Sequence, residues 1–318
     1  MPIARNSPQL CSARIGRRRC RGTATVSKAL CRDLDGRDTG RMTRALLDPA
    51  AVPSELRPYL EELVQRTRTI CGPHLLSVFA VGSIALGDYR HGRSDVDVNV
   101  VVRPPVTGEV VRELAESLAH AALPCPAAGL ELVVYDSSFA ERPSDRAGYL
   151  LDLNTGPLLP DRADFDPASA PAFWYVIDRS IACQAGRVLH GRPVRQVLAA
   201  PSQRDLIAAI LASVREHATG VGHLTDNQVL NGCRSVVYCR TGRWFAKRES
   251  AQLISESEPQ FRPLLETAVR SFERPRTAAL DLPATHVRTF LAWVRDRVEE
   301  AAASAERESG DSRCQRGQ

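Results

Sequence analysis

The chain reads VGSIALGDYRHGRSDVDVNVVV over residues 81–102. Gly82 and Ser83 end one apolar run, and Asp95 and Asp97 lead into a second apolar run rich in valine. Because side chains alternate along a strand, the two aspartates are predicted to share one face, with the valines between and around them on the other. The stretch therefore predicts two strands, a Gly-Ser turn after the first, and a pair of acids at the start of the second.

The residue types in this stretch indicate a chemistry. Paired carboxylates on one face offer hard oxygen ligands, and Mg²⁺ is usually held by one or two carboxylates together with substrate phosphates. At Gly82 and Ser83, backbone N–H groups and a hydroxyl can contact phosphate oxygens without a bulky Cβ in the way. Ser94 adds a hydroxyl directly before the acids. We interpret Asp95 and Asp97 as metal ligands for nucleotidyl transfer; an exposed turn before a half-buried acidic strand is the alternative.

This arrangement resembles the signature of the DNA polymerase beta nucleotidyltransferase superfamily. In that signature a Gly-Ser pair is followed by a spacer and then by Asp-x-Asp in a strand. Here the spacer is residues 84–94. The resemblance implies that Gly82, Ser83 and Ser94 bind the nucleotide.

A third acid stands in the next predicted strand, residues 130–135. Glu131 is the one charged residue among apolar neighbours there. A carboxylate on a core strand is costly unless it serves a metal or a proton transfer. We predict that Glu131 is the general base for the acceptor hydroxyl and a candidate third metal ligand. The alternative is that it lies at the exposed start of the strand.

Charge is distributed unevenly along the chain. Residues 1–48 contain eleven Lys and Arg against four Asp, a net charge of +7, which leaves −2 for the remainder of a chain whose total is +5. The net positive charge of the chain therefore comes from its N-terminal segment, called here the leader. A nucleic-acid-binding groove on the rest of the chain is not predicted. Residues 1–50 are expected to be disordered; a nucleic-acid-binding arm, a transit peptide or a true start at Met42 are alternatives.

Two further absences in the sequence narrow the class of protein. No run of eighteen apolar residues occurs, so no transmembrane helix is expected. The nine cysteines form no Cys-x-x-Cys motif, and their irregular spacing argues against a disulfide framework or a zinc site. We therefore expect a cytoplasmic protein with reduced thiols.

The C-terminal half contains a second motif, in residues 227–251. An Asn is followed seven residues later by Arg234, then by a Thr-Gly turn, and then by Lys247 and an Ala. This pattern resembles the helical C-terminal domain of the bacterial aminoglycoside (3'')(9) adenylyltransferases, the streptomycin and spectinomycin resistance enzymes. The resemblance covers about residues 54–300. It implies that Arg234 and Lys247 contact the nucleotide triphosphate.

Together the patterns predict an α+β protein. Residues 51–150 are expected to form a nucleotidyltransferase α/β domain with a mixed sheet. Residues 151–305 are expected to form an all-helical C-terminal domain, followed by a disordered tail at 306–318. An active site is expected between the two domains, where Arg234 and Lys247 would meet the phosphates from the side opposite the acids.

The acceptor is less strongly indicated than the enzyme class. In the family, acidic and aromatic side chains just before the leading Asn recognise the drug; here that stretch, residues 219–226, has one acid and no tryptophan. Asp226 and, from the preceding helix, Trp174 are the candidate acceptor-binding residues. We expect a monomer that transfers AMP from ATP, with Mg²⁺, to an aminoglycoside or another small polar molecule. Alternatives are modification of a protein or RNA, and a catalytically silent nucleotide-binding module.

Overall fold

A computed structural model describes residues 52–218 and 225–314. The predicted leader, residues 1–50, lies outside these ranges, as do residues 315–318 of the predicted tail. The described part of that tail is helical, since the last helix continues to Cys314. Within the described ranges, no helix is both long enough and apolar enough to cross a membrane.

Helices and strands alternate in the first half of the chain, and helices dominate the second. The described strands are β1 (Leu75–Ala80), β2 (Val96–Val102), β3 (Leu130–Asp136), β4 (Tyr149–Thr155), β5 (Arg162–Asp164) and β6 (Arg187–Gly191). The described helices are α1 (Arg57–Cys71), α2 (Gly82–Ala85), α3 (Gly108–Leu118), α4 (Ser137–Ala140), α5 (Ala172–Ala185), α6 (Gln203–Ala218), α7 (Thr225–Thr241), α8 (Lys247–Ser257), α9 (Arg262–Phe272) and α10 (Ala284–Cys314). This confirms the α+β class.

The strands form one sheet of six in the order β5-β4-β3-β2-β1-β6. β2 and β3 run parallel, joined by a crossover that contains α3, whereas the other neighbouring strands pair antiparallel. The sheet is therefore mixed, as predicted. The parallel pair is the part that matters for the site, because it carries the predicted acids at the same end of two adjacent strands.

The two faces of the sheet are buried against different layers. Val96, Val98 and Val100 pack with leucines of α1 and α3 in one core, whereas Val101 joins the core formed with α5 to α10. Asp97 is on the same side of β2 as Val101, because side chains alternate along a strand. The acid pair consequently faces the helical layer, as the valine alternation predicts.

The sheet continues past the domain boundary predicted at residue 150. β4 begins at Tyr149 and pairs with β3, β5 pairs with β4, and β6 closes the opposite edge beside β1. The boundary at 150 therefore cuts through a strand, and the segment 187–191 belongs to the sheet although helices flank it. Strand partners are selected by long-range backbone pairing, which local periodicity does not report.

Candidate active site

A cavity of about 370 Å³ lies between the acidic face of the sheet and the helical layer. Nine of the ten residues predicted for the site line it: Gly82, Ser83, Ser94, Asp95, Asp97, Trp174, Glu131, Arg234 and Lys247. Side chains that are far apart in the sequence thus meet around one space. Such a space at the junction of two layers is a common setting for an active site.

Asp97 and Glu131 are direct partners in the parallel β2–β3 pair. Burial is the largest influence on the pKa of Asp97 and raises it, while the nearby Lys247 charge and a hydrogen bond from the Ser83 backbone N–H lower it. Burial raises the pKa of both acids, and for Glu131 the neighbouring charges of Asp97 and Asp95 raise the pKa further. The Ser83 N–H, which the sequence suggested for phosphate, is therefore used to hold Asp97.

Gly82 makes this close approach possible. Its φ is +52°, and a Cβ built there would lie 2.0 Å from Asp97 Oδ2 and 2.6 Å from its Cγ. Any side chain would therefore displace the Asp97 carboxylate, and the positive φ would strain a residue other than glycine. The Gly-Ser pair thus shapes the acid site directly, in addition to any contact with phosphate.

Asp95 is paired with an arginine that the sequence did not single out. Arg276, in the turn after α9, donates from Nη2 to Asp95 Oδ2 and from Nε to the Arg93 carbonyl at 2.9 Å. Burial raises the pKa of Asp95 to about 6, although Arg276 lowers it. Arg276 also lines the cavity. Nothing in its local sequence indicates this role, because the residue comes from a turn distant from both motifs.

The leading Asn of the second motif and Arg234 lie on one face of α7. Asn227, Asn231 and Arg234 are spaced by four and three residues, so they share a face of the helix, and all three line the cavity. Lys247, at the start of α8, donates to the Asn227 side-chain oxygen at 3.1 Å and lies over the Phe272 ring. Burial and the nearby Arg234 lower the pKa of Lys247 to about 8.

Trp244 packs against the guanidinium of Arg234. The Arg234 guanidinium carbon lies 5.5 Å from the centre of the Trp244 ring, which stacks on Tyr238 and donates its indole N–H to Ser180. A guanidinium that lies over an aromatic ring is attracted by the ring and keeps N–H groups available for phosphate oxygens. Trp244 was missed in the sequence because a tryptophan after a turn is more often only a core residue.

The residues present fit magnesium and a triphosphate. Across residues 52–218 and 225–314, no three His, Cys, Asp or Glu side chains form a group that could hold a metal ion alone. Two aspartates are the set that Mg²⁺ takes when phosphates complete its ligands. In the same ranges, buried polar atoms without a hydrogen-bond partner surround the cavity: Ser83 Oγ, Asp95 Oδ1, and Arg234 Nε and Nη2.

Ser94 and the spacer stabilise the site. Ser94 lines the cavity, but its hydroxyl accepts the backbone N–H of Arg90 at 3.1 Å. Asp88 accepts from Arg248 Nε at 2.5 Å, which ties the Gly-Ser spacer to the start of α8. These bonds hold Lys247, the neighbour of Arg248, at the cavity. For Ser94, the predicted nucleotide contact stays a prediction.

The other end of the cavity is walled by α5 and α6. Trp174 packs edge-on against His217, with ring centres 5.2 Å apart, and both line the cavity. Asp178 is one helical turn further along α5 and also lines it. The sequence analysis proposed Trp174 as an acceptor-binding residue and did not identify Asp178.

Asp226 does not line the cavity, in contradiction to its predicted role. Its side chain is 1% exposed, lies 2.5 Å from Arg93 Nη2 and accepts the Ser271 hydroxyl. The carboxylate is therefore committed to joining α7 to α9 and to the loop before β2. Residues 219–224, the rest of the predicted recognition stretch, lie outside the described residues.

Asp226→Asn is expected to destabilise the fold by about 3–5 kcal/mol, because it leaves the buried Arg93 charge without its partner. Urea denaturation measures this loss. The matched control is Asp296→Asn, which removes the same charge from a half-exposed pair with Arg295. Its midpoint should stay near that of the parent protein. Equal stability of Asp226→Asn and the control would contradict the structural role.

Comparison with known proteins agrees with this architecture. Residues 59–123 match the family model "Nucleotidyltransferase domain", and residues 196–297 match "Aminoglycoside adenylyltransferase, C-terminal domain". A search of curated protein sequences finds no match. The spectinomycin adenyltransferase AAD(9) from Enterococcus faecialis, solved with ATP and spectinomycin, is 17% identical; the match covers 76% of this chain and 98% of that one, with a TM-score of 0.58.

A CD-NTase, CdnG from Bradyrhizobium diazoefficiens in complex with GTP, aligns less well. It is 14% identical over 81% of this chain and 87% of that one, with a TM-score of 0.28. The likeness to AAD(9) extends over nearly the whole of that protein and shows a shared fold. With a nucleotidyltransferase domain followed by an aminoglycoside adenylyltransferase C-terminal domain, the chain is an aminoglycoside adenylyltransferase-like nucleotidyltransferase.

Proposed function

We propose that the protein transfers AMP from ATP to a hydroxyl group of a small aminoglycoside of the streptomycin or spectinomycin type. The observation that carries this proposal is the convergence of Asp95, Asp97 and Glu131 with Arg234 and Lys247 on one cavity. Carboxylates that can bind a metal ion or accept a proton thus lie opposite basic side chains that can bind a triphosphate. The structural neighbour solved with ATP and spectinomycin supports the choice of substrates.

The residues have complementary tasks in this reaction. Asp95 and Asp97 would hold Mg²⁺, which neutralises phosphate charge when bound. Arg234 and Lys247 bind the triphosphate by charge-assisted hydrogen bonds. Glu131 takes the proton of the acceptor hydroxyl while that oxygen forms a bond to the α-phosphorus of ATP. The bond from this phosphorus to the bridging oxygen breaks, and pyrophosphate leaves.

The cavity also contains features that suit a small polar acceptor. Trp174 offers an aromatic wall beside His217, and the side-chain amide of Asn231, 3.3 Å from His217 Nε2, also lines the cavity. Aromatic walls with a few polar groups are typical of small-molecule sites. Trp174 is therefore proposed as an acceptor-binding residue.

The test is transfer of labelled AMP from α-labelled ATP to a panel of acceptors. Streptomycin, spectinomycin, a mixture of cellular proteins and tRNA are incubated separately with the full chain and Mg²⁺. Label on an aminoglycoside with the parent protein, and its loss with Asp97→Asn, would support the proposal. Label on protein or tRNA alone would favour the alternative targets, and ATP binding without any transfer would favour the silent module.

Arg234→Ala and Lys247→Ala are each expected to weaken MgATP binding by about tenfold or more, because each removes charge-assisted contacts to phosphate. Isothermal titration calorimetry of MgATP measures the effect. Arg243→Ala is the matched control, since Arg243 is exposed and does not line the cavity. Dissociation constants equal to that of the control in both variants would show that these residues do not bind the triphosphate.

A further inference from the structure

Asp178 is a cavity-lining carboxylate that none of the tasks above uses. It is on α5, four residues after Trp174, so the two side chains share a face of the helix. Both line the cavity. The charge of Asp178 raises the pKa of Glu131 and partly offsets the lowering of the pKa of Arg234 by burial. The charge of Asp97 in turn raises the pKa of Asp178. Asp178 is therefore close to the centre where the acceptor hydroxyl must react.

Several other acids with little exposed surface in the described chain have cationic or hydroxyl partners, whereas Asp97 and Glu131 already have tasks in the proposed reaction. Asp88 is bonded to Arg248, Asp95 to Arg276, and Asp152 to Arg162 and Tyr175. Asp178 has no hydrogen bond or ion pair within residues 52–218 and 225–314, and its oxygens are not sealed from the cavity. Burial, and then the charge of Asp97, raise the pKa of Asp178 to about 7 although Arg234 lowers it.

Arg234 is not the missing partner. Two of its guanidinium nitrogens, Nε and Nη2, are buried without a hydrogen-bond partner among the described residues, although Asp178 is near enough to affect its pKa. The guanidinium lies over Trp244 instead. Asp178 thus retains an unneutralised carboxylate while a nearby arginine keeps donors for another anion. Asp178 is half-buried and open to the cavity, and a carboxylate without a partner in such a place suits a ligand that brings the matching charge.

The charge balance of the cavity leads to the same ligand. Among the described residues its lining has five carboxylates and four basic side chains. Asp88 and Arg93 are neutralised by Arg248 and Asp226, which are outside the lining. Four carboxylates then face three bases. ATP with a bound Mg²⁺ still has a net negative charge, so the nucleotide does not offset this excess, and the acceptor is the remaining component that can.

We propose that Asp178 binds a positively charged group of the acceptor, a protonated amine or a guanidinium, and thereby selects cationic acceptors. This inference rests on the proposed AMP transfer. The acceptor is held between Asp178 and the aromatic wall of Trp174, with its hydroxyl directed to Glu131. Asp178 is a specificity-determining residue in this arrangement and takes no part in proton transfer.

The test combines one substitution with one change to the ligand. Spectinomycin and its N-acetylated form, which keeps the hydroxyls but loses the amine charges, are titrated into the parent protein and Asp178→Asn. Both titrations contain Mg²⁺ and a non-hydrolysable ATP analogue. Either change alone is expected to weaken binding by about tenfold or more, and the two together hardly further, because both remove the same contact. Streptomycin is titrated in parallel as a guanidinium probe.

Three controls separate this role from a structural one. Asp145→Asn removes the same charge from an exposed loop position outside the cavity and should bind like the parent. MgATP affinity should change by less than about threefold in Asp178→Asn, since the contact is with the acceptor. The melting temperature of Asp178→Asn should equal or exceed that of the parent, because an isosteric amide replaces a half-buried charge that has no partner among the described residues.

The outcomes distinguish this inference from the proposed function. AMP transfer to spectinomycin with equal binding by Asp178→Asn and Asp145→Asn would overturn the inference and leave the function standing. Binding that depends on Asp178, without any AMP transfer, would support the cation site and overturn the function. A parent protein that binds neither drug would overturn both. If Asp178→Asn loses as much affinity for MgATP as for the acceptor, Asp178 positions Arg234 for the nucleotide and does not bind the acceptor. That result would also overturn the inference.

Discussion

Asp97→Asn is expected to slow AMP transfer by about a thousandfold or more while leaving the fold intact. Asp97 is the centre of the acid site: Gly82 gives it space, the Ser83 N–H bonds to it, and Glu131 is its direct partner on β3. The amide keeps the size of the carboxylate but removes its charge toward the metal. Because burial already disfavours that charge, the variant should melt no lower than the parent.

Turnover and circular dichroism of the same samples check this expectation. Asp95→Asn should behave similarly and also frees Arg276 from its ion pair. Asp145→Asn controls for loss of a negative charge elsewhere in the chain. If both Asp95→Asn and Asp97→Asn transfer AMP within a few-fold of the parent rate, the assignment of these aspartates to metal is wrong.

Glu131→Gln is expected to slow the chemical step by about a hundredfold or more. The amide keeps the shape of the side chain beside Asp97 on β3 but cannot accept a proton. MgATP affinity should change little, in contrast to Arg234→Ala and Lys247→Ala. Single-turnover rates at saturating substrates measure the chemical step, and calorimetry of the same variant measures nucleotide binding.

Glu131→Asp is the conservative control for this experiment. It keeps a base but withdraws it from the acceptor by one methylene, so its rate should fall between those of the parent and the amide. A shift in the magnesium concentration needed for activity of Glu131→Gln would support the predicted metal role of Glu131. Normal single-turnover rates in Glu131→Gln would rule out this glutamate as the base.

The core of the site could be predicted from the sequence because its geometry is mostly local. Alternation along β2 places Asp97 opposite the buried valines, and the same period in β3 brings Glu131 beside it once the strands pair in parallel. The conformation of Gly82 and the shared helical face of Asn227 and Arg234 are likewise properties of short segments. Residue spacing therefore carries this information without knowledge of the fold.

The tertiary structure alone decided the partners of these residues. Arg276 reaches Asp95 across 181 positions in the chain, and Asp226 turns away from the cavity because Arg93, 133 positions away, neutralises it. The addition of β6 to the sheet and the exposure of Asp178 to the cavity are equally non-local. Ion pairs and strand pairing depend on which surfaces meet after folding, and a carboxylate has the same local sequence signature whether it meets an arginine or a ligand.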